Sequence, residues 1–136
     1  MTLKETISAI LNLLHNAADS LGTPASNINY GCFGRMPTET PFIWIYAEPI
    51  PKPFGYSGIE DLRRAKITAF CGASSDDQFN SQMLALEIAE KSLVALLAEY
   101  PALLENAQYG YDQTYADIAV AYIEFEVSYI INGVGQ

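Results

Sequence analysis

His15 is the only histidine in the chain, and Cys32 and Cys71 are its only cysteines. A Cys–His nucleophilic pair would need one of those thiols beside His15. His15 instead falls with Lys4, Ser8, Asn12 and Asp19 on the polar side of an amphipathic segment, so we expect it to face solvent. One imidazole and scattered carboxylates give none of the usual metal-ligand spacings. The glycines of Gly31-Cys-Phe-Gly34 lack the lysine and flanking strand of a phosphate loop. Catalytic, cofactor-binding and metal-ligating residues are therefore all assigned as none. Bases are scarce too, 7 against 16 acids, for a net charge of −9. That excludes tight binding to a nucleic-acid backbone or an anionic membrane, which both require compensating cations. No apolar run exceeds six residues, against the ~20 that span a bilayer. The first residues, MTLKETISAILNLLH, carry acids where a secretory leader has a basic region. These features predict a cytoplasmic protein with reduced thiols, although the sequence leaves a Cys32–Cys71 disulfide open.

What is abundant is apolar surface, at 50% of residues, enough for one folded domain over residues 1–136. From Ala121 to Tyr129 the chain alternates strictly. Ala121, Ile123, Phe125, Val127 and Tyr129 fall on one side, and Tyr122, Glu124, Glu126 and Ser128 on the other. This period of two predicts a strand within residues 115–131 that has one buried and one wet face. Such a strand needs long partners and a helical layer over its apolar side.

The remaining elements follow in order. Thr2-Leu-Lys-Glu5 fits a capping box, and Leu3, Ile7, Ile10, Leu14, Ala17 and Leu21 continue it as one stripe. A helix is expected over 3–21, closed by Gly22 and Pro24. Residues 22–41 read as a long irregular connection. Phe42–Ala47, apolar on both sides, reads as a strand covered on both faces, the second by the core or by another subunit. Pro49, Pro51 and Pro53 then project an extended loop over 48–61. Arg64–Cys71 is a second strand, with Ile67, Ala69 and Cys71 on one face. Ser74–Asp77 caps a helix over 76–99, whose apolar side is Phe79, Met83, Leu86, Ala89, Leu93, Leu96, Leu97 and Tyr100. A connection over 101–114, with room for a short turn or strand, and a short flexible tail complete the chain. The fold class expected is α+β: an antiparallel or mixed sheet with two main helices on one face. Lys66 or Arg64 is expected across from Glu124 or Glu126.

Glu124 and Glu126 point the same way, as a glycosidase pair does, but that spacing recurs on any wet sheet face. The aromatics are more telling. Phe33, Phe42, Trp44, Tyr46, Phe54 and Tyr56 cluster around the first strand and its flanking loops. Trp44 is expected in the core, while Phe33, Phe54 and Tyr56 suit an interface, where amphipathic aromatics are enriched. Arg63 and Arg64, the one basic spot, join them as candidate interface residues. A small-ligand or enzymatic domain built on the Cys32 loop and these aromatics is the competing reading.

Three segments carry a family resemblance: PTETPFIWIYAEPIP after the opening helix, the helix SSDDQFNSQMLALEIAEKSLVALLAEY, and the closing IAVAYIEFEVSYI. In this pattern the chain resembles the small tail-completion proteins of tailed bacteriophages and prophages, the tail-terminator class and its Mu-like relatives. The resemblance implies helices packed on a curved sheet. It also implies assembly into homo-oligomeric rings, often hexamers, that stop tail-tube growth and join other tail or head–tail joining proteins. Such a protein would be found in the host cytoplasm and in the virion tail. The class has no catalytic motif to carry over and implies no cofactor.

Overall fold

The computed structural model describes residues 2–31, 39–51, 60–100, 105–115 and 117–132. Helix α1 spans Leu3–Asn16, and both halves of its capping box are formed. The Glu5 amide donates to Thr2 Oγ1 at 3.2 Å and the Thr2 amide donates to Glu5 Oε1 at 3.1 Å. The helix breaks at Ala17 and resumes as the single turn α2, Ala18–Leu21. Gly22, at φ 66°, ends it in the left-handed conformation that glycine adopts without a Cβ clash. The expected helix over 3–21 is thus two helices, because the chain turns at Ala17 to bury Ala18 and Leu21.

The described first part of the connection expected over 22–41 contains regular elements. A 3₁₀ turn, Ala25–Asn27, leads into a three-residue strand β1, Ile28–Tyr30. Next come β2, Phe42–Pro49, and β3, Glu60–Ala73. Helix α3 runs Gln78–Glu99, with the Asp77 side chain accepting from the Asn80 amide at 2.8 Å. Two long strands close the chain, β4, Glu105–Tyr115, and β5, Ile118–Asn132. The connection expected over 101–114 therefore holds an eleven-residue strand.

The sheet order is β1-β2-β3-β5-β4. Only β1 and β2 are parallel, so the sheet is mixed and the fold is α+β as expected. The β3–β5 register pairs Ala65 with Val127, Ile67 with Phe125, Ala69 with Ile123 and Cys71 with Ala121. Both strands thus present their small and branched residues to one side. Helices α1 and α3 pack side by side on that side, joined to the sheet through Ile10, Leu14, Ala85, Ile88 and Leu96. Ile67, Ile123, Phe125 and Val127 are buried there. Cys71 is buried with them as a free thiol, so the chain carries no disulfide at that position. Burial alone pushes its pKa up to about 12, because an apolar surround disfavours the thiolate.

His15 departs from expectation. It is half-buried, and its Nε2 lies 2.7 Å from the Ile28 carbonyl. A carbonyl oxygen accepts only, so this nitrogen carries the proton and donates. The imidazole fastens α1 to the start of β1 and is occupied structurally. No helix among the described residues is long and apolar enough to cross a membrane.

Candidate functional site: the outer face of the sheet

The second face of the sheet has no helix on it among the described residues, and its chemistry changes from one end to the other. At one end lie Phe42, Trp44 and Tyr46 of β2, Phe70 of β3 and Tyr122 of β5, brought together by the registers Trp44–Phe70 and Phe70–Tyr122. The Phe42 and Trp44 rings stack with centroids 4.1 Å apart. Tyr46 meets Phe70 edge-on at 5.7 Å and tilts against Tyr30 at 6.4 Å. Offset and edge-to-face pairs like these add about 0.5–1.5 kcal/mol beyond area burial. Phe42 is buried, whereas Trp44, Tyr46, Phe70 and Tyr122 keep part of their surface in solvent. Trp44, expected in the core, therefore belongs to this outer cluster. The parity of β2 sends Ile43 and Ile45 under the helices and Trp44 to the other side.

The other end is charged. Arg64 Nη2 lies 3.3 Å from Glu126 Oε1, and Lys66 Nζ lies 3.9 Å from Glu124 Oε2. Both pairs run diagonally to the register, which sets Lys66 against Glu126 and Thr68 against Glu124. The expected neutralisation of the two glutamates is present in this form. Half-exposed pairs of this kind contribute a few tenths of a kcal/mol each. On β4, Gln108 Nε2 donates to Glu124 at 3.1 Å and Asn106 Nδ2 donates to Glu126. Asn106 adopts φ 54° where the β4–β5 register slips between Glu105 and Gln108. These side chains line an open hollow of about 420 Å³. Each carboxylate there is held by one cation and one amide, an arrangement that joins three strands. Among the described residues, no three His, Cys, Asp or Glu side chains gather as metal ligands would.

Among the described residues, one predicted interface residue lies on this face. Phe33, Phe54 and Tyr56 fall outside the described residues, as does Cys32 and with it the ligand-binding loop of the competing reading. Arg64 is on the outer face, in the charged end. Arg63 is not. It is only 4% exposed and sits opposite Tyr129 on the helix side, so it belongs to the packed layer and not to a surface. The signal was available, since Arg63 shares the parity of Ile67, Ala69 and Cys71.

Sequence reasoning also missed a second aromatic set. Tyr109, Tyr111 and Tyr115 stand exposed on β4, at the opposite lateral edge of the sheet from β1 and β2. No protein-family profile matches this chain and no curated protein matches its sequence.

Proposed function

We propose that this chain is a structural subunit that works through contacts between copies, in the manner of a phage tail-completion ring. The carrying observation is the presence of two unlike aromatic sets on one sheet, one across the outer face of its interior strands and one on the edge strand β4. Trp44, Tyr46 and Phe70 lie on the outer face of β2 and β3. On β4 the exposed Tyr109 and Tyr111 share the parity of Ile123 and Ala121, and Tyr115, past a register shift, pairs with Ile118 on the other face. A closed ring requires two different complementary patches per subunit, so that each copy meets the next head to tail. Tyrosine and tryptophan suit such patches because they bury large area while keeping a polar tip satisfied. Three strand spacings of about 4.8 Å set β2 roughly 14 Å from β4, so one subunit can face two neighbours at once.

The resemblance noted above gives this assembly a setting, the end of the tail tube or the head–tail joint. It would act there with other tail or neck proteins, in the host cytoplasm and then in the virion. The excess of acids lets a ring surround DNA without gripping it, since little phosphate charge is neutralised. Native mass spectrometry with negative-stain imaging tests the reading. Closed rings are expected, and they should be lost on Trp44→Ala or Tyr111→Ala while each variant still folds. A monodisperse monomer at high micromolar concentration would count decisively against it.

A further inference from the structure

Helix α3 buries one face against the sheet through Ser81, Ala85, Ile88, Ser92 and Leu96. Its opposite face is also apolar. Phe79, Met83, Val94 and Leu97 are exposed along it at helical spacing, with half-buried Leu86, which also touches the core, and charged Glu90 between them. Phe79 is 67% exposed and Val94 61%, a large area for apolar side chains to leave in water. A helix apolar on both sides is one that is covered on both sides.

The stripe has an internal symmetry. Numbered from Ile88, its positions fall at nine, five and two residues before and two, six and nine after. Laid antiparallel on itself, Phe79 meets Leu97, Met83 meets Val94 and Leu86 meets the aliphatic stem of Glu90. The flank is self-complementary as well. Glu87 and Lys91 form an exposed pair at 2.8 Å along one side of the stripe. In antiparallel helices like flanks meet, so Glu87 of one copy comes opposite Lys91 of the other, and the reverse.

We infer that α3 is a two-fold docking surface for a second copy of this chain. The contact uses neither aromatic set of the sheet, so it stands apart from the ring contact and would pair single subunits or whole rings through their helical layers. One helix pair of this length lies near the lower end of specific interfaces, roughly 1,000–1,200 Å² in total, which makes micromolar association the expectation. Glu90 weakens the contact by placing two carboxylates near the axis, one turn apart.

Sedimentation equilibrium of the full chain, with circular dichroism to verify folding, tests this. Val94→Asp, at an exposed position, should lower the two-fold association at least about tenfold. Glu87→Lys and Lys91→Glu should each weaken self-pairing, yet pair with one another when mixed, because one then presents two bases and the other two acids. Failure of that mixture to pair would overturn the two-fold geometry, and so would association insensitive to Val94→Asp. Rings that form while two-fold association persists unchanged in Val94→Asp would sink this contact and leave the ring reading standing. Two-fold dimers without rings would do the opposite.

Discussion

The Phe42 ring lies flat over Gly72, its direct partner across the β2–β3 register. A Cβ at position 72 would come within 2.1 Å of Phe42 Cε2. Glycine there is a packing requirement: the ring covers bare backbone and is buried by it, and Trp44 then stacks on the ring. Gly72→Ala should therefore push Phe42 off its seat and unstack Trp44. We expect about 1–3 kcal/mol of destabilisation, the usual cost of overpacking. A red-shifted Trp44 fluorescence should accompany it, and Trp44 is the only tryptophan in the chain. Denaturant titration read by that fluorescence checks both together.

Two buried serines of α3 should respond in opposite directions. Ser81 Oγ accepts from the Ser75 amide at 2.8 Å and donates to the Asp77 carbonyl at 2.9 Å, closing the start of the helix. Ser81→Ala leaves a part-buried N–H without its partner and should cost about 1–2 kcal/mol. Ser92 Oγ is fully buried and has no hydrogen-bond partner among the described residues. Ser92→Ala removes a polar atom that was desolvated without return, and should stabilise the fold by roughly 1 kcal/mol. Urea unfolding of the two variants beside the parent decides the signs.

How much of this was legible in the sequence depended on what each element touches. The face assignment of β5 followed from alternation alone, because a period of two has no other regular reading. The capping box at Thr2 and Glu5 followed from four adjacent residues. By contrast β4 was hidden, since Asn106-Ala-Gln-Tyr-Gly-Tyr-Asp-Gln-Thr-Tyr has no branched aliphatic residue and its bulges break the alternation. The three residues of β1 are too few to show any period. The apolar side of α3 misled for a different reason. Phe79, Met83 and Leu97 are apolar and helically spaced, but the sequence does not say which apolar stripe meets the sheet. Ala89, Leu93 and Leu96 of the expected side are buried, and small Ala85 and Ser92 join them because they let the helix approach closely. The candidate site was least legible of all, since its aromatics come from β2, β3 and β5.

Cys71 supplies a prediction in alkaline solution. In the unfolded chain its thiol begins to ionise near 9, while in the fold it stays neutral to about 12. Below pH 9 both states hold the proton and the group has no effect on stability. Between 9 and 12 only the unfolded state releases it, so stability should fall with rising pH, by up to ~1.4 kcal/mol per unit. Cys71→Ala should flatten that part of the profile relative to the parent, measured by urea unfolding at pH 8 to 10.5. Native Cys71, studied with Cys32→Ser in place, should also resist maleimide until the protein unfolds.

Glu5 sets the complementary trend in acid. The Thr2 backbone and hydroxyl hydrogen bonds hold its carboxyl below the ordinary glutamate value. Its contribution is present above that value and is lost as pH falls through the lower folded one. The parent should therefore lose helix stability on acidification more steeply than Glu5→Gln, which keeps an acceptor but does not titrate. Helical circular dichroism followed from pH 6 to 2 reports the difference.

Net charge makes the assembly reading sensitive to salt in a direction that separates it from DNA binding. Each copy brings −9, so every added subunit works against the repulsion of those already present. The described aromatic surfaces carry few charges, and their attraction is little screened. Raising ionic strength shortens the Debye length from about 30 Å at 0.01 M to about 10 Å at 0.1 M, which weakens the repulsion first. Oligomers should accordingly grow with added salt at fixed protein concentration. A subunit assembled around bound nucleic acid would behave in reverse, because phosphate contacts are lost as salt rises. Light scattering from low to moderate salt, with and without duplex DNA, distinguishes the two. Growth with salt and indifference to DNA is the expected result, and oligomers that dissolve with salt would remove the basis for the ring.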